Sequence, residues 1–215
     1  QAARQVDVFL ANSTETQQRI KKYYNRNSIV IHPPVDISRF TPAAKRGDHY
    51  VTIGRQLPYK RYDLAVTAAT KLGKKLIVFG NGPAHNRLVD LAGPTVEFRT
   101  DRFGDASDAE YEKAITTARG FIYPAEEDFG IVSVEALAAG APVIGLARGG
   151  TTDIVTSPEV GVLFDRQTSI SVAKAIEQAE KRTFDPTVLR RTAQRFDKTL
   201  FLTKLRKVVR DQIIK

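Results

Sequence analysis

Short β-branched runs alternate with helical patterns along most of the 215 residues, which predicts an α/β fold: a doubly wound parallel sheet with helices on both faces. Four of the runs also end in a loop that carries glycine or a cation and leads toward a helix. In such sheets ligands sit outside the carboxyl ends of the strands, so those loops are where chemistry is expected.

Val6–Ala11 is the first expected strand, followed by a helix over Glu15–Tyr24 and a second strand, Ser28–His32. Pro33-Pro34 then reads as a stiff extended linker, because proline disfavours a helical residue before it. The strand Tyr50–Gly54 precedes a helix over Tyr62–Leu72, Lys75–Phe79 precedes Ala84–Leu91, and Thr95–Phe98 precedes Asp108–Ala118. The alternation continues with Gly120–Tyr123 and Val132–Ala139, Pro142–Leu146 and Thr151–Val155, then Gly161–Phe164 and Ser169–Lys181. After Pro186 the chain becomes helical and basic, from Leu189 to Lys215. Phe196, Leu200, Phe201, Leu205, Val208 and Val209 recur there at three- and four-residue steps, which predicts an apolar stripe with Lys and Arg on the wet face.

With 42% hydrophobic and 27% charged residues, the chain is long enough for one or at most two soluble domains that need no covalent staple. The absence of Cys excludes disulfides and thiolate metal sites and fits a reducing, cytoplasmic compartment. His32, His49 and His85 show no metal-ligand spacing. A net charge of +9 calls for an anionic partner, whether nucleic acid, a phosphorylated small molecule or an acidic membrane surface. Nucleic acid fits least, because aromatics are not interleaved with the basic residues and no nucleic-acid motif is present. No apolar run reaches the ~18 residues of a bilayer span, and no signal peptide is visible. With Gln at position 1 and no Met, the chain is expected to be a piece of a longer polypeptide.

Of the four loops, the first runs from Gly54 and Arg55 to Lys60. A guanidinium and an ammonium in one loop suit a diphosphate, although two cations at a turn are as readily plain solvated charges. Gly80-Asn81-Gly82-Pro83 is either a close approach to a ligand or a tight turn, and the full dinucleotide fingerprint is missing. The third loop, Tyr123 to Glu135, carries Glu126, Glu127 and Asp128, then Phe129 and Gly130 opening a helix. Amides of Gly130, Ile131 and Val132 would form the positive end of that helix, with Glu135 about one turn inside. Carboxylates beside an anion site make sense if they accept hydrogen bonds from sugar hydroxyls; capping by Glu127 and Asp128 is the plainer explanation. Arg148-Gly149-Gly150 is the fourth loop, equally well a flexible turn.

Taken in order, these motifs resemble the retaining GT-B glycosyltransferases of glycosyltransferase family 4. The match runs through Pro33-Pro34-Val35-Asp36, Gly54-Arg55 with Lys60, Gly80 to Pro83, Glu127-x7-Glu135, Ala139 to Val143 and Gly149-Gly150. Pro124 to Gly130, Phe184-Asp185-Pro186 and Arg195-Phe196 are most similar to bacterial surface-polysaccharide mannosyltransferases. The resemblance implies a Rossmann-like donor domain that takes mannose from GDP-mannose as co-substrate, without metal or other cofactor. It implies that Arg55 and Lys60 hold the diphosphate and that Glu127 binds sugar hydroxyls. Gly54, Phe129 and the amides of Gly130 to Val132 complete the donor site, Glu135 takes the ribose and Arg99 the base. The chain departs from many relatives in having Arg99-Thr100 for Leu-Gly and Asn81 for Asp.

On this reading residues 1–33 are a remnant of an N-terminal acceptor domain plus linker, 34–196 bind the donor, and 197–215 form a basic helix. The fragment alone is expected to be inactive, with a glycan or lipid-linked acceptor reached through the missing domain. The basic helix suits peripheral attachment to the inner face of a membrane. A binding-only nucleotide-sugar module is the competing reading. The apolar strand Val6–Ala11 is expected to pair with another copy, so sizing in solution should give a dimer; a monomer at all concentrations would contradict that pairing.

Overall fold

The computed structural model describes residues 2–99 and 105–213; Thr100 and the last two residues of the expected basic helix lie outside this range. The first unit comprises β1 (Phe9–Ala11), α1 (Thr14–Tyr24) and β2 (Ser28–Val30), the two strands forming a parallel pair. The main unit then alternates β3 (His49–Ile53), α2 (Tyr62–Leu72), β4 (Lys75–Phe79), α3 (His85–Leu91), β5 (Val96–Arg99) and α4 (Asp105–Thr117). It continues with β6 (Gly120–Tyr123), α5 (Ile131–Ala138), β7 (Val143–Leu146), α6 (Thr151–Ile154), β8 (Gly161–Phe164) and α7 (Ser169–Glu180). Two helices close the chain, α8 (Pro186–Gln194) and α9 (Lys198–Ile213). The main sheet is six-stranded and parallel, in the order β5-β4-β3-β6-β7-β8.

Side chains alternate across each strand, and both faces are covered. Tyr50, Ile122 and Ile144 pack on one face with Leu64, Val172 and Ile176 of α2 and α7. Val51, Phe121, Tyr123 and Val143 point to the other, against Ile115 of α4, Leu137 of α5 and Leu189 of α8. Burying each such side chain contributes about 1.5–3 kcal/mol, and both faces do so, which is why the strands read as unbroken apolar runs.

Caps set the element ends. Ser13 accepts from Thr16 N at 3.1 Å to start α1, and Asp185 accepts from Thr187 N at 2.8 Å, with Pro186 in the first turn, to start α8. The expected strand Val6–Ala11 shortens to Phe9–Ala11 because the Arg26 guanidinium binds the carbonyls of Val6 at 2.6 Å and Asp7 at 3.3 Å. The helical stretch after Pro186 is two helices, because Asp197 accepts from Thr199 N at 2.8 Å and begins a new one. The expected stripe divides there: Phe196 is buried in the core, whereas Leu200 and Val209 are exposed.

Chain crossings between the first unit and the rest lie side by side. Val35 N donates to Phe196 O at 3.0 Å, and Val35 forms an isolated bridge to Asp197. His32 sits between Phe129 and Phe196, with ring centroids 5.5 and 5.1 Å away, and its Nε2 lies 3.1 Å from Asp153 Oδ2. Among the described residues no helix is long and apolar enough to cross a membrane.

At the amino ends of the strands, Glu180 of α7 collects Tyr50 Oη at 2.7 Å, Lys74 Nζ at 2.6 Å and Arg119 Nε at 2.6 Å. Burial pushes the Glu180 carboxyl up, but the Lys74, Tyr50 and Arg119 donors together outweigh it and hold the pKa below its ordinary value of 4.5. A depressed carboxylate pKa stabilises the fold above the unfolded value and loses that contribution as pH falls through the folded one. Glu180→Gln should therefore cost about 1–2 kcal/mol at pH 7 and flatten the acid-side decline below pH 4.5. Denaturant titrations across pH measure both, and an unchanged acid limb would contradict this role.

Candidate functional site

From β3 the chain adds β4 and β5 on one side, then returns to add β6, β7 and β8 on the other. Loops leaving β3 and β6 diverge at this switch point and open a crevice at the strands' carboxyl ends. A cavity of about 560 Å³ fills it. Ile53, Gly54, Tyr59 and Lys60 form one wall, Tyr123 and residues 126–132 the other, and Asn12 and Pro33 close the side nearest the first unit.

Gly54 makes the first wall feasible. Its φ is +144°, and a Cβ there would lie 2.5 Å from Tyr62 Oη and 3.3 Å from Lys60 Nζ. Without it, Lys60 folds back over the strand end, and Tyr62 donates to Ile53 O at 2.6 Å. The loop is held from behind by Gln56, which is fully buried. Its Nε2 donates to Gly80 O at 2.6 Å, which leaves Oε1 to accept from His85 Nδ1 at 2.9 Å. Its backbone bonds Asn81 O at 2.8 Å and Ala84 N at 2.9 Å, so the Gly80–Pro83 loop braces the Lys60 loop and does not line the cavity.

On the second wall the three acids have different partners. Asp128 Oδ1 pairs with Arg19 Nη1 at 2.7 Å, while Glu126 lies 3.8 Å from Arg19 and 4.0 Å from Arg148. Glu127 faces inward: its Oε1 accepts from Lys60 Nζ at 2.8 Å and Tyr59 Oη at 3.3 Å, and its Oε2 from Tyr123 Oη. The Lys60 and Glu127 side chains are only 16% and 20% exposed, so their attraction is screened less than at the surface. Behind the loop, Gly150 N donates to Glu127 O at 2.8 Å, and a Cβ on Gly149 would run into that same carbonyl. The glycine pair is thus a close packing support for Glu127.

The N-cap of α5 is Gly130, at φ +94°, and no side chain caps the helix. Glu127 and Asp128 are therefore not capping residues, and the first amides of α5 keep their partial positive charge toward the cavity. A carboxylate, an ammonium and helix-end amides within one crevice can bind an anion and hydroxyl groups at once. Among the described residues no group of His, Asp or Glu could hold a metal ion.

The cavity brings together Gly54, Lys60, Glu127, Phe129, Gly130, Ile131 and Val132 of the expected donor residues. It does not include the other three. Arg55 is exposed, and its guanidinium has no hydrogen-bond or ion-pair partner among the described residues. Arg99 ends β5, two strands from β3, with Nε 2.7 Å from Glu97 Oε1 and its guanidinium over the Phe79 ring. Glu135 is half-buried in α5 and accepts from Tyr111 Oη at 3.1 Å. The sequence reading missed Tyr59, Tyr123, Asn12 and Pro33 as cavity residues; each tyrosine lies within a loop segment that it singled out. Asn12 Oδ1 is buried and has no hydrogen-bond partner among the described residues. Burial first, and then the Glu127 charge, pushes the phenol pKa values of Tyr62 and Tyr123 far up, so both hydroxyls remain donors.

The family model of the glycosyl transferases group 1 matches residues 36–196, well over half of the chain and all of the main sheet. The chain belongs to this family. A D-inositol 3-phosphate glycosyltransferase of Salinispora arenicola (strain CNS-205) is 29% identical over 204 residues, covering 77% of this chain and 45% of that protein. A GDP-mannose-dependent alpha-mannosyltransferase of Mycobacterium tuberculosis (strain CDC 1551 / Oshkosh) is 30% identical over 164 residues, covering 68% of this chain and 42% of that protein. This glycosyl transferase domain therefore spans less than half the length of either relative. Anabaena HepE in complex with UDP and glucose shares its fold, with a TM-score of 0.80 at 21% identity, covering 97% of this chain and 64% of that one. Sucrose-phosphate synthase from Thermosynechococcus elongatus gives the same TM-score and identity over 97% of this chain and 59% of that one. The α/β fold with its parallel sheet matches GT-B glycosyltransferase structures.

The support behind Glu127 can be weighed against backbone strain alone. Gly73 has φ +60° with nothing within 4 Å of an added Cβ, whereas Gly149 has φ +65° and would meet Glu127 O. Gly73→Ala should cost about 1 kcal/mol from left-handed strain, and Gly149→Ala at least about 2 kcal/mol. Equal losses in chemical denaturation would show that the glycine pair does not carry the Glu127 loop.

Proposed function

We propose that this chain supplies the nucleotide-sugar site of a retaining hexosyltransferase that moves mannose from GDP-mannose to a glycan or lipid-linked acceptor. The observation that carries this reading is the Lys60–Glu127 pair, held at the switch point beside the uncapped start of α5. Breaking the bond from anomeric carbon to phosphate oxygen leaves its electron pair on the diphosphate and positive charge on the sugar. Lys60, the α5 amides and Arg55, swung in from solvent, stabilise that leaving group more than the intact donor, which is what lowers a barrier. The acceptor hydroxyl adds on the face the diphosphate leaves, and its proton passes to the departing phosphate oxygen, so no enzyme base is needed; Lys60, Arg55 and the α5 amides take the place of a metal ion on the diphosphate. Glu127 holds sugar hydroxyls, Glu135 the ribose and Arg99 the base.

Residues 1–33 and 197–215 are proposed to belong with an N-terminal acceptor domain, a reading supported by the adjacent crossings at Val35 and Phe196–Asp197. The fragment then binds donor without transferring sugar, on the cytoplasmic side of a membrane that α9 contacts. The relatives are named as transferases, and a binding-only module finds no support among them.

Calorimetric titration with GDP, UDP and ADP tests the donor site. At least one should bind more tightly than ~1 mM, GDP best of all; three weaker dissociation constants would end the reading. Arg55→Ala should weaken the best binder about tenfold, the order of one hydrogen bond to a charged group, and an unchanged affinity removes Arg55 from the site.

A further inference from the structure

Glu127 is held unevenly. Its Oε1 meets Lys60 Nζ and Tyr59 Oη, two groups that line the open cavity, and Tyr59 is 54% exposed. An incoming ligand can displace both. Its Oε2 meets Tyr123 Oη, on a residue with no exposure at all. Tyr123 ends the central strand β6, stacks on Phe121 at 5.8 Å, and has Gly130 against its ring: a Cβ there would lie 3.0 Å from Tyr123 Cε1. The ring is therefore held in place by its packing, in the cavity wall that it shares with the start of α5.

We propose that Tyr123 is a positioning residue for Glu127: it fixes Oε2 from beneath and so presents Oε1 to the donor sugar. This rests on the reading of Glu127 as the sugar contact. A phenol suits the task because it donates one hydrogen bond and carries no charge. An ammonium at that depth would compete with Lys60 for the carboxylate, and a phenylalanine would leave Oε2 buried against an apolar ring. Burial and the Glu127 charge push the phenol pKa far up, so its hydroxyl stays a donor. Backbone bonding from Gly150 fixes the same residue from the other side, leaving the Oε1 edge toward the two displaceable groups.

The test compares dissociation constants for a nucleoside diphosphate and its sugar, using GDP with GDP-mannose, UDP with UDP-glucose and ADP with ADP-glucose, on the whole chain. Tyr123→Phe keeps the ring and its packing. It should leave diphosphate affinity unchanged and shift the sugar-to-diphosphate ratio about tenfold against the sugar, the size of one lost hydrogen bond to a charged group. Glu127→Gln should shift the ratio too. If Glu127→Gln shifts it and Tyr123→Phe does not, the positioning role is wrong while the sugar contact stands. An equal loss for diphosphate and sugar in Tyr123→Phe means a structural role only and overturns the proposal. An unchanged ratio in Glu127→Gln removes the sugar contact and this inference with it. Should Tyr123→Phe fail to fold, Glu127→Asp keeps the charge but draws it out of reach of Tyr123. It should shift the ratio likewise, and an unshifted ratio there also overturns the proposal.

Discussion

A carboxylate repels a diphosphate, and with the donor bound as proposed, the crevice between β3 and β6 is organised around that constraint. Glu127 stands among groups suited to an anion, and Lys60 offsets its charge at 2.8 Å. The attraction within the pair is screened less than in a surface ion pair, because both side chains are largely withdrawn from water. It also leaves the ammonium poised, since a diphosphate carries more charge than the carboxylate it would displace. The other two acids do not add to the repulsion, because Arg19 pairs with Asp128 and approaches Glu126.

Everything that places this pair is a device for letting backbone come close. Gly54 makes room for Lys60 and the Tyr62 hydroxyl, and Gly149-Gly150 lie directly against the Glu127 loop. Gly130 permits a left-handed turn into α5 with no capping side chain, which leaves the helix-end amides unspent. Gln56 then ties the Lys60 loop to the Gly80–Pro83 loop, so the site is largely preformed. Preorganisation of this kind is where electrostatic stabilisation of a leaving group comes from, because nothing has to reorient as charge develops.

The sheet was legible because strands buried on both faces appear as short apolar runs, and Lys75–Phe79, Gly120–Tyr123 and Gly161–Phe164 occur with the expected bounds. Boundaries failed where a single side chain outcompetes the pattern, as Arg26 does for the carbonyls of Val6 and Asp7, and Asp197 does for the helix before it. At the crevice, the grouping of residues 127–132 was legible because a loop between strand and helix stays local. That Arg55, Arg99 and Glu135 lie outside the cavity was not, since side-chain direction depends on tertiary neighbours such as Glu97 and Tyr111. Tyr123 escaped notice for another reason: an aromatic closing a buried strand reads as core, and only the fold shows its hydroxyl against Glu127.

On the proposed function, Lys60 exchanges one anion for another while Glu127 stays anchored. A crystal structure of the chain with GDP bound tests it directly. The diphosphate should lie between Lys60 Nζ and the first amides of α5, with the Lys60–Glu127 pair opened and the Tyr123–Glu127 bond retained. A diphosphate bound elsewhere, with Lys60 still on Glu127, would contradict it.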